Sequence, residues 1–487
     1  MVAFLGPVLS VFSRIVIAFS VMFLMPLAWA WQLDDASLRA VWLKGLGLTL
    51  ALGLLLALLT KNHRRELAVR DGFLLVNLVW LVLPALSAVP LMMALPQLSW
   101  TKAYFEAMSA LTATGATALS GLDVLPVSVN VWRCFLQLIG GLGIMLLVVA
   151  VLPLLGLGGV QLYKAETPGP MKDARLTPRI AETARGLWAV YFVLSSACFL
   201  AYKWAGMSWA DAFMHMCTTM GLGGFSSHDA SFGYWNSAAI ESVAIVFMGL
   251  SGISFARYFI AWRARSLRSL VADQEVRAYV GVLTAATGIL ILVLVAHGTQ
   301  PTLWEDVRAA TFHVVSLATT TGYASRDYAL WPVFAPVMLL SLGCYVSCAG
   351  STGGGIKMVR MLLLFKRAHR ELVRAVHPHI VNPVTLGRAI IAPQVMASVV
   401  AFMLIYIAAT VGLTMLMLLS GLDMVTAFTA VIATLNNIGP GLGLVGPASN
   451  FGVLSDFQLW VCTVAMWMGR LELLAVMVLF VPQFWRR

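Results

Sequence analysis

Apolar stretches long enough to cross a bilayer recur along the chain at about 8–30, 41–60, 72–95, 129–155, 186–206, 236–262, 278–297, 332–365, 389–419 and 454–482. Each is close to or beyond the roughly 20 residues that a spanning helix needs. The pattern predicts ten spans. Between some of them lie shorter semi-apolar stretches, about 101–113, 209–221, 306–319 and 423–436. These are too short to cross. Non-spanning backbone is tolerated at membrane depth only where protein or water surrounds it, so they are expected to be re-entrant half-helices.

Each half-helix runs into a short uncharged segment ending in glycine: Thr112-Ala113-Thr114-Gly115, Gly221-Leu222-Gly223-Gly224, Thr319-Thr320-Thr321-Gly322 and Asn436-Asn437-Ile438-Gly439. The final glycines are 109, 98 and 117 residues apart, a period too long for a solenoid and suited to one chain folded as four similar units around an axis. Aligned on that glycine, Ala103, Ala212, Ala310 and Ala427 stand twelve positions earlier. Nine earlier stand Glu106, His215, His313 and Ala430, and six earlier Ser109, Thr218, Ser316 and Ala433. Small residues at these places suit a half-helix packed tightly against its neighbours. Ser208-x-x-Asp211, Thr302-x-x-Glu305 and Ser420-x-x-Asp423 resemble capping boxes that open three of the half-helices. Each half-helix is then expected to begin at the outer face and aim its partly negative C-terminus at a cation in the centre.

A dehydrated cation needs a close cage of oxygens. Glycine reaches φ > 0 and lets the backbone carbonyls turn inward. Thr adds hydroxyls, and no Asp or Glu occupies a segment, which disfavours tight divalent binding. The sixteen residues of the four segments are therefore the candidate sites for a bare monovalent cation.

Composition agrees. The 487-residue chain is 60% hydrophobic and 11% charged, with a mean hydropathy of +0.88, which excludes a soluble domain. Met1 to about Ala30 has the look of a signal peptide, but no small-x-small cleavage site closes it, and it is read as a span. The formal charge of +11 would fit nucleic acid, yet its distribution argues otherwise. With the N-terminus inside, 23 of the 32 Lys and Arg fall on the inner side and seven outside, leaving Arg257 and Arg470 within spans. That bias puts both termini in the cytoplasm and leaves no role for nucleic acid. The six cysteines lie in apolar surroundings and read as small buried hydrophobes, with Cys344 and Cys348 at i,i+4 of a helix. His377-Pro-His379 lacks further metal ligands and reads as a solvated turn.

Two anomalies remain inside the apolar pattern. Ser347-Cys-Ala-Gly-Ser-Thr-Gly-Gly-Gly355 clusters Gly350, Gly353, Gly354 and Gly355 within a spanning stretch, where a helix is poorly supported. It lacks Walker spacing, since Ile356 precedes Lys357 and no Ser or Thr follows. A broken helix whose loop obstructs the pore is the better reading, with Lys357 and Arg360 at the inner interface. Arg470 costs several kcal/mol in a span unless it faces protein or water. Glu472 does not share its helix face, Glu241 is a remote candidate partner, and Arg470 is expected to act as an electrostatic barrier in the pore.

These motifs resemble the Trk/Ktr/HKT superfamily of potassium transporters, and within it the TrkH-type membrane subunits. The resemblance rests on Ala107–Ala116, Gly223–Ser231, Ala318–Ser325 and Leu435–Gly441, and on the cytoplasmic stretches Tyr163–Pro170 and Thr177–Thr183. It implies an all-α polytopic membrane protein of four pseudo-symmetric helix–re-entrant pore helix–helix repeats: 72–160, 186–265, 276–370 and 388–487. Two extra N-terminal helices occupy 1–71. It further implies K+ as the transported ion with no covalently bound cofactor, a homodimer, a cytoplasmic nucleotide-binding regulatory partner of the TrkA kind, and a bacterial inner membrane. Two departures from the family pattern are Ala113, where Thr is commoner, and the hydroxyl-free Gly221-Leu222-Gly223. Four unequal segments imply looser selectivity than a symmetric tetramer has. A sodium-conducting or proton-coupled symporter of the same superfamily is the alternative. An intramembrane enzyme would need a nucleophile with a base, or a metal cluster, and neither pattern is present. A passive assembly subunit would not need four filter segments.

Overall fold

The computed structural model describes residues 2–62, 67–150, 176–387 and 389–486. The chain is mostly helical, with one two-stranded antiparallel ribbon of β1 (Thr385–Leu386) and β2 (Ala389–Ile390) among the described residues. Tyr163–Pro170, the end of the 129–155 stretch and several counted basic residues (Arg64, Arg65, Lys164, Lys172, Arg175, Arg388 and Arg487) lie outside the described residues.

The helices, in chain order, are α1 (Val2–Ser20), α2 (Leu24–Gln32), α3 (Ala36–Thr60), α4 (Val69–Ala94), α5 (Trp100–Leu111), α6 (Val127–Ala150), α7 (Leu176–Trp204), α8 (Trp209–Gly221), α9 (Ala238–Ser251) and α10 (Phe255–Ala264). They continue with α11 (Arg268–Val271), α12 (Gln274–Ala296), α13 (Leu303–Ala318), α14 (Phe334–Gly343), α15 (Met358–Val376), α16 (Pro393–Leu419), α17 (Met424–Leu435), α18 (Asp456–Arg470), α19 (Leu474–Met477) and α20 (Pro482–Trp485). Among the described residues six helical stretches are long and apolar enough to cross a membrane, or eight if each of two bent pairs is one span.

Long helices form where apolar residues run without interruption, because in lipid a helix satisfies its own backbone. Prolines 7, 84 and 90 are accommodated within such helices. The N-terminal helices are fastened to α6 by aromatic packing. Trp132 stacks on Phe23 at 4.4 Å and lies 5.8 Å from Trp42, whose indole donates to Ser128 Oγ at 3.1 Å.

Three expected spans are not straight. The 236–262 stretch bends by 84° between α9 and α10, and the 454–482 stretch by 107° after α18. The 332–365 stretch is two helices separated by irregular backbone from Cys344 to Lys357, so Cys348 is in a loop and the i,i+4 helical reading of Cys344 and Cys348 is corrected. A break frees backbone groups, and here two breaks satisfy one another. Cys348 N–H donates to Gly252 O at 3.0 Å, and Phe255 N–H to Gly350 O at 3.1 Å. The Glu275 carboxylate, at the start of α12, accepts from Ala349 N–H at 2.8 Å and Val359 N–H at 3.1 Å. The glycine-rich loop is thus built into the bundle by hydrogen bonds on both sides.

Candidate ion pathway

The four short helices α5, α8, α13 and α17 are each opened by a side-chain cap. Ser99 accepts from Lys102 N–H, Ser208 from Asp211 N–H, Thr302 from Glu305 N–H and Asp423 from Thr426 N–H, at 3.0–3.3 Å. In the last of them the cap is Asp423 and not Ser420, because the helix begins one turn later than the sequence box placed it. The four alanines twelve before the glycines are fully buried, as tight packing requires.

All four short helices end in the same way. Thr114 N–H donates to Ser109 O, Gly223 to Thr218 O, Thr321 to Ser316 O and Ile438 to Ala433 O, at 2.8–2.9 Å. The closing glycines take positive φ: Gly115 at 83°, Gly224 at 75°, Gly322 at 84° and Gly439 at 102°. A second left-handed residue, which glycine-based reading missed, stands two positions earlier: Ala113 at 51°, Leu222 at 51°, Thr320 at 62° and Asn437 at 53°. Left-handed backbone costs a non-glycine residue about 1–2 kcal/mol, so the surroundings hold four such residues against their preference. No glycine marks these positions, and of the four residues only Asn437 is of a type that favours the left-handed region.

The segments meet in cyclic order. A Cβ at Gly115 would overlap the Gly223 carbonyl, one at Gly224 the Thr321 carbonyl, and one at Gly322 the Ile438 carbonyl. One at Gly439 would lie 2.9 Å from the Thr114 carbonyl oxygen, closing the ring. Asn437 Nδ2 also donates to Thr114 Oγ1 at 2.8 Å, joining the last segment to the first. Gly115, Gly224, Gly322 and Gly439 together line one cavity. The four closing glycines thus share one cavity, and no segment brings a carboxylate to it, a chemistry suited to a monovalent cation and not to tight divalent binding.

Comparison with known proteins identifies the family. The family model TrkH, described as cation transport protein, matches residues 38–487. The chain is 43% identical to the Trk system potassium uptake protein TrkH of Escherichia coli strain K12 over 438 residues, 90% of each chain. It is 40% identical to the protein of that name from Halomonas elongata over 481 residues, 99% of each. The crystal structure of the potassium transporter TrkH from Vibrio parahaemolyticus superposes with a TM-score of 0.91 at 38% identity, covering 99% of each chain. The chain belongs to the TrkH family.

In this TrkH-family chain the position nine before three of the four glycines fastens the backbone that leaves the segment. The buried Glu106 carboxylate accepts from Ala118 N–H at 2.9 Å and Thr117 Oγ1 at 2.9 Å, and pairs with the equally buried Arg133. His215 Nδ1–H donates to Asp211 O at 2.9 Å, which leaves Nε2 to accept from Ser226 Oγ at 3.0 Å. His313 likewise donates to Ala309 O and faces Ser325 N–H at 3.4 Å. Ala430 has no such group, and the neighbouring Thr429 takes over. Its Oγ1 donates to Val425 O at 2.7 Å and accepts from Leu442 N–H at 2.9 Å.

The Gly350–Gly355 loop lies against the other end of the segments. Thr352 Oγ1 donates to Met220 O at 3.0 Å, and Gly354 N–H to Thr320 Oγ1 at 2.8 Å. A Cβ at Gly353 would come within 2.9 Å of Thr319 O, and one at Gly354 would overlap Asn436 O. The approach therefore requires bare backbone. Gly350 and Gly355, with φ of 77° and 78°, turn the chain at the two ends.

Arg470 is 3% exposed and donates to Thr352 O at 2.9 Å and Gly140 O at 3.0 Å, with its guanidinium 5.8 Å from the Trp80 ring. Glu241 is not its partner, since it pairs with Arg308 at 2.7 Å. Glu472, two residues on, turns away to Arg360. Arg360 also covers the Phe402 ring at 4.2 Å. Lys357, expected at an interface, is buried, with Nζ on the Gly353 carbonyl.

The Arg133–Glu106 pair supports a prediction. Removing one partner of a buried pair leaves an uncompensated charge, at a cost of about 3–5 kcal/mol. Arg133→Met should lower the melting temperature of the purified protein markedly in detergent, and the double variant Arg133→Met/Glu106→Gln should recover part of the loss. Equal melting of wild type and Arg133→Met would show that the pair does not brace the first segment.

Proposed function

We propose that this chain is the potassium-translocating subunit of a Trk-type uptake system in a bacterial inner membrane. The cyclic closure of four uncharged backbone segments around one cavity carries the reading, together with relatives named as Trk system potassium uptake proteins. The sixteen segment residues serve as the filter, and four helix–half-helix–helix repeats, preceded by two N-terminal helices, supply them. An inside-negative potential contributes about 2.3 kcal/mol per 100 mV for each entering charge, so influx needs no chemistry in the chain. Glycine in all four segments favours potassium over the sodium-conducting alternative.

Gly350–Gly355 acts as the gate. It occupies the inner ends of three segments through Met220, Thr320 and Asn436, and Arg470 ties it to α6. Basic segments on the inner side put both termini in the cytoplasm, where a homodimer would present them to a nucleotide-binding regulatory subunit of the TrkA kind.

In the filter, Gly115→Ser and Gly322→Ser should each reduce potassium preference over sodium by about tenfold or more, because a Cβ meets both a strained φ and a neighbouring carbonyl. Ion flux into proteoliposomes holding equal amounts of protein measures this, and unchanged selectivity in both variants would remove the two residues from the filter.

At the gate, Arg470→Ala and a shortened Gly350–Gly355 loop should each raise basal flux without a partner. Arg470→Ala removes both a tether on Thr352 and a fixed positive charge beside the path. Flux at or below wild type in both, at equal protein density, contradicts the assignment.

A further inference from the structure

The second segment, Gly221-Leu222-Gly223-Gly224, has no hydroxyl of its own. Its counterparts are braced from within. Thr112 and Thr114 share a hydroxyl–hydroxyl bond of 2.7 Å, and Thr319 and Thr321 one of 2.8 Å. In the fourth, Asn436 bonds to Ile432 O and Tyr406, and Asn437 to Thr114 and Met466 O. By that comparison the second should be the loosest wall of the cavity.

Helix α6 supplies what is missing. Gln137, fully buried, donates from Nε2 to Gly223 O at 2.8 Å and accepts at Oε1 from Phe225 N–H at 3.2 Å. One amide thus brackets the left-handed Gly224 from both sides. One turn earlier on the same face of α6, Arg133 lies 4.4 Å over the Phe225 ring. The glycines make this approach feasible. A Cβ at Gly223 would overlap the Gln137 side chain, and one at Gly221 would come within 2.6 Å of the Gln137 carbonyl oxygen. The absence of side chains at 221 and 223 is therefore the counterpart of the glutamine at 137.

We propose that Gln137 is a positioning residue for ion selectivity, its amide replacing the hydroxyl brace that the second segment lacks. The Gly223 carbonyl sits against Gly115 of the first segment, so its orientation sets the spacing between two walls of the cavity. A side-chain amide, with its donor and its acceptor on separate atoms, can satisfy both the carbonyl and the amide that flank Gly224, and a hydrocarbon at 137 cannot. The proposal rests on reading the four segments as the filter.

The test compares Gln137→Met, which keeps bulk and removes both hydrogen bonds, with Gln137→Ala, Gly223→Ser and the double variant Gln137→Ala/Gly223→Ser. The double variant returns a hydroxyl to the segment in the space the glutamine vacates. Potassium and sodium fluxes are measured in proteoliposomes, alongside the melting temperature of purified protein in potassium and in sodium. Gln137→Met and Gln137→Ala should lose selectivity by about fivefold or more, since fivefold is the scale of one hydrogen bond and two are removed, and lose most of the extra thermal protection by potassium. Gly223→Ser should be impaired by collision, and the double variant should be more selective than either single change, a non-additivity that independent sites do not give. Wild-type selectivity in Gln137→Met, an additive double variant, or failure of Gln137→Met to fold would each overturn the proposal. Those results alongside a selectivity loss in Gly115→Ser would leave the filter itself standing.

Discussion

The structure depends on bringing four uncharged backbone segments together at one cavity. Partial negative charges of like sign repel, and left-handed backbone at Ala113, Leu222, Thr320 and Asn437 is unfavourable for residues with a Cβ. Within the segments, only the Thr112–Thr114 and Thr319–Thr321 hydroxyl bonds offset this cost. The scaffold around them meets it, and most of the buried polar side chains near the cavity can be understood by which segment they restrain. Glu106 and Arg133, His215, His313 and Thr429 each fasten the strand that leaves a segment. Gln137 fastens the second segment itself.

The same requirement explains the irregular helices. A loop can meet the inner ends of the segments only if a spanning helix is interrupted, and interruption frees backbone groups that lipid cannot satisfy. The break between α9 and α10 and the break between α14 and α15 resolve this by bonding to each other, with the Glu275 carboxylate taking two further amides. Arg470 adds two bonds to carbonyls and connects the loop to α6. Its charge sits among carbonyl dipoles and an aromatic ring, with no carboxylate among its hydrogen-bond partners.

The half-helices were legible within a few residues, because apolar runs too short to cross and a cap residue leave few other readings. The positive φ of the four glycines was legible for the same kind of reason, since glycine is the residue that adopts it freely. The cap at Asp423 was misplaced by one turn because Ser420 and Asp423 are both good caps and local chemistry does not choose between them. The partners of Arg470, Glu241 and Glu472 were not legible. They lie between 67 and 330 residues away in the chain, and no spacing rule reaches so far.

By itself the sequence determined that the chain lives in a membrane, that four glycine-ended segments recur at similar intervals, and that their chemistry is neutral oxygen. Hydropathy, recurrence and residue type can be read along the chain without knowing which helices touch. Tertiary structure alone decided that the four segments close in cyclic order, that the glycine cluster at 350–355 meets Met220, Thr320 and Asn436, and that Gln137 bonds to the second segment, which has no hydroxyl. Those outcomes depend on which surfaces meet when the helices pack, and packing is set by the fit of the whole bundle.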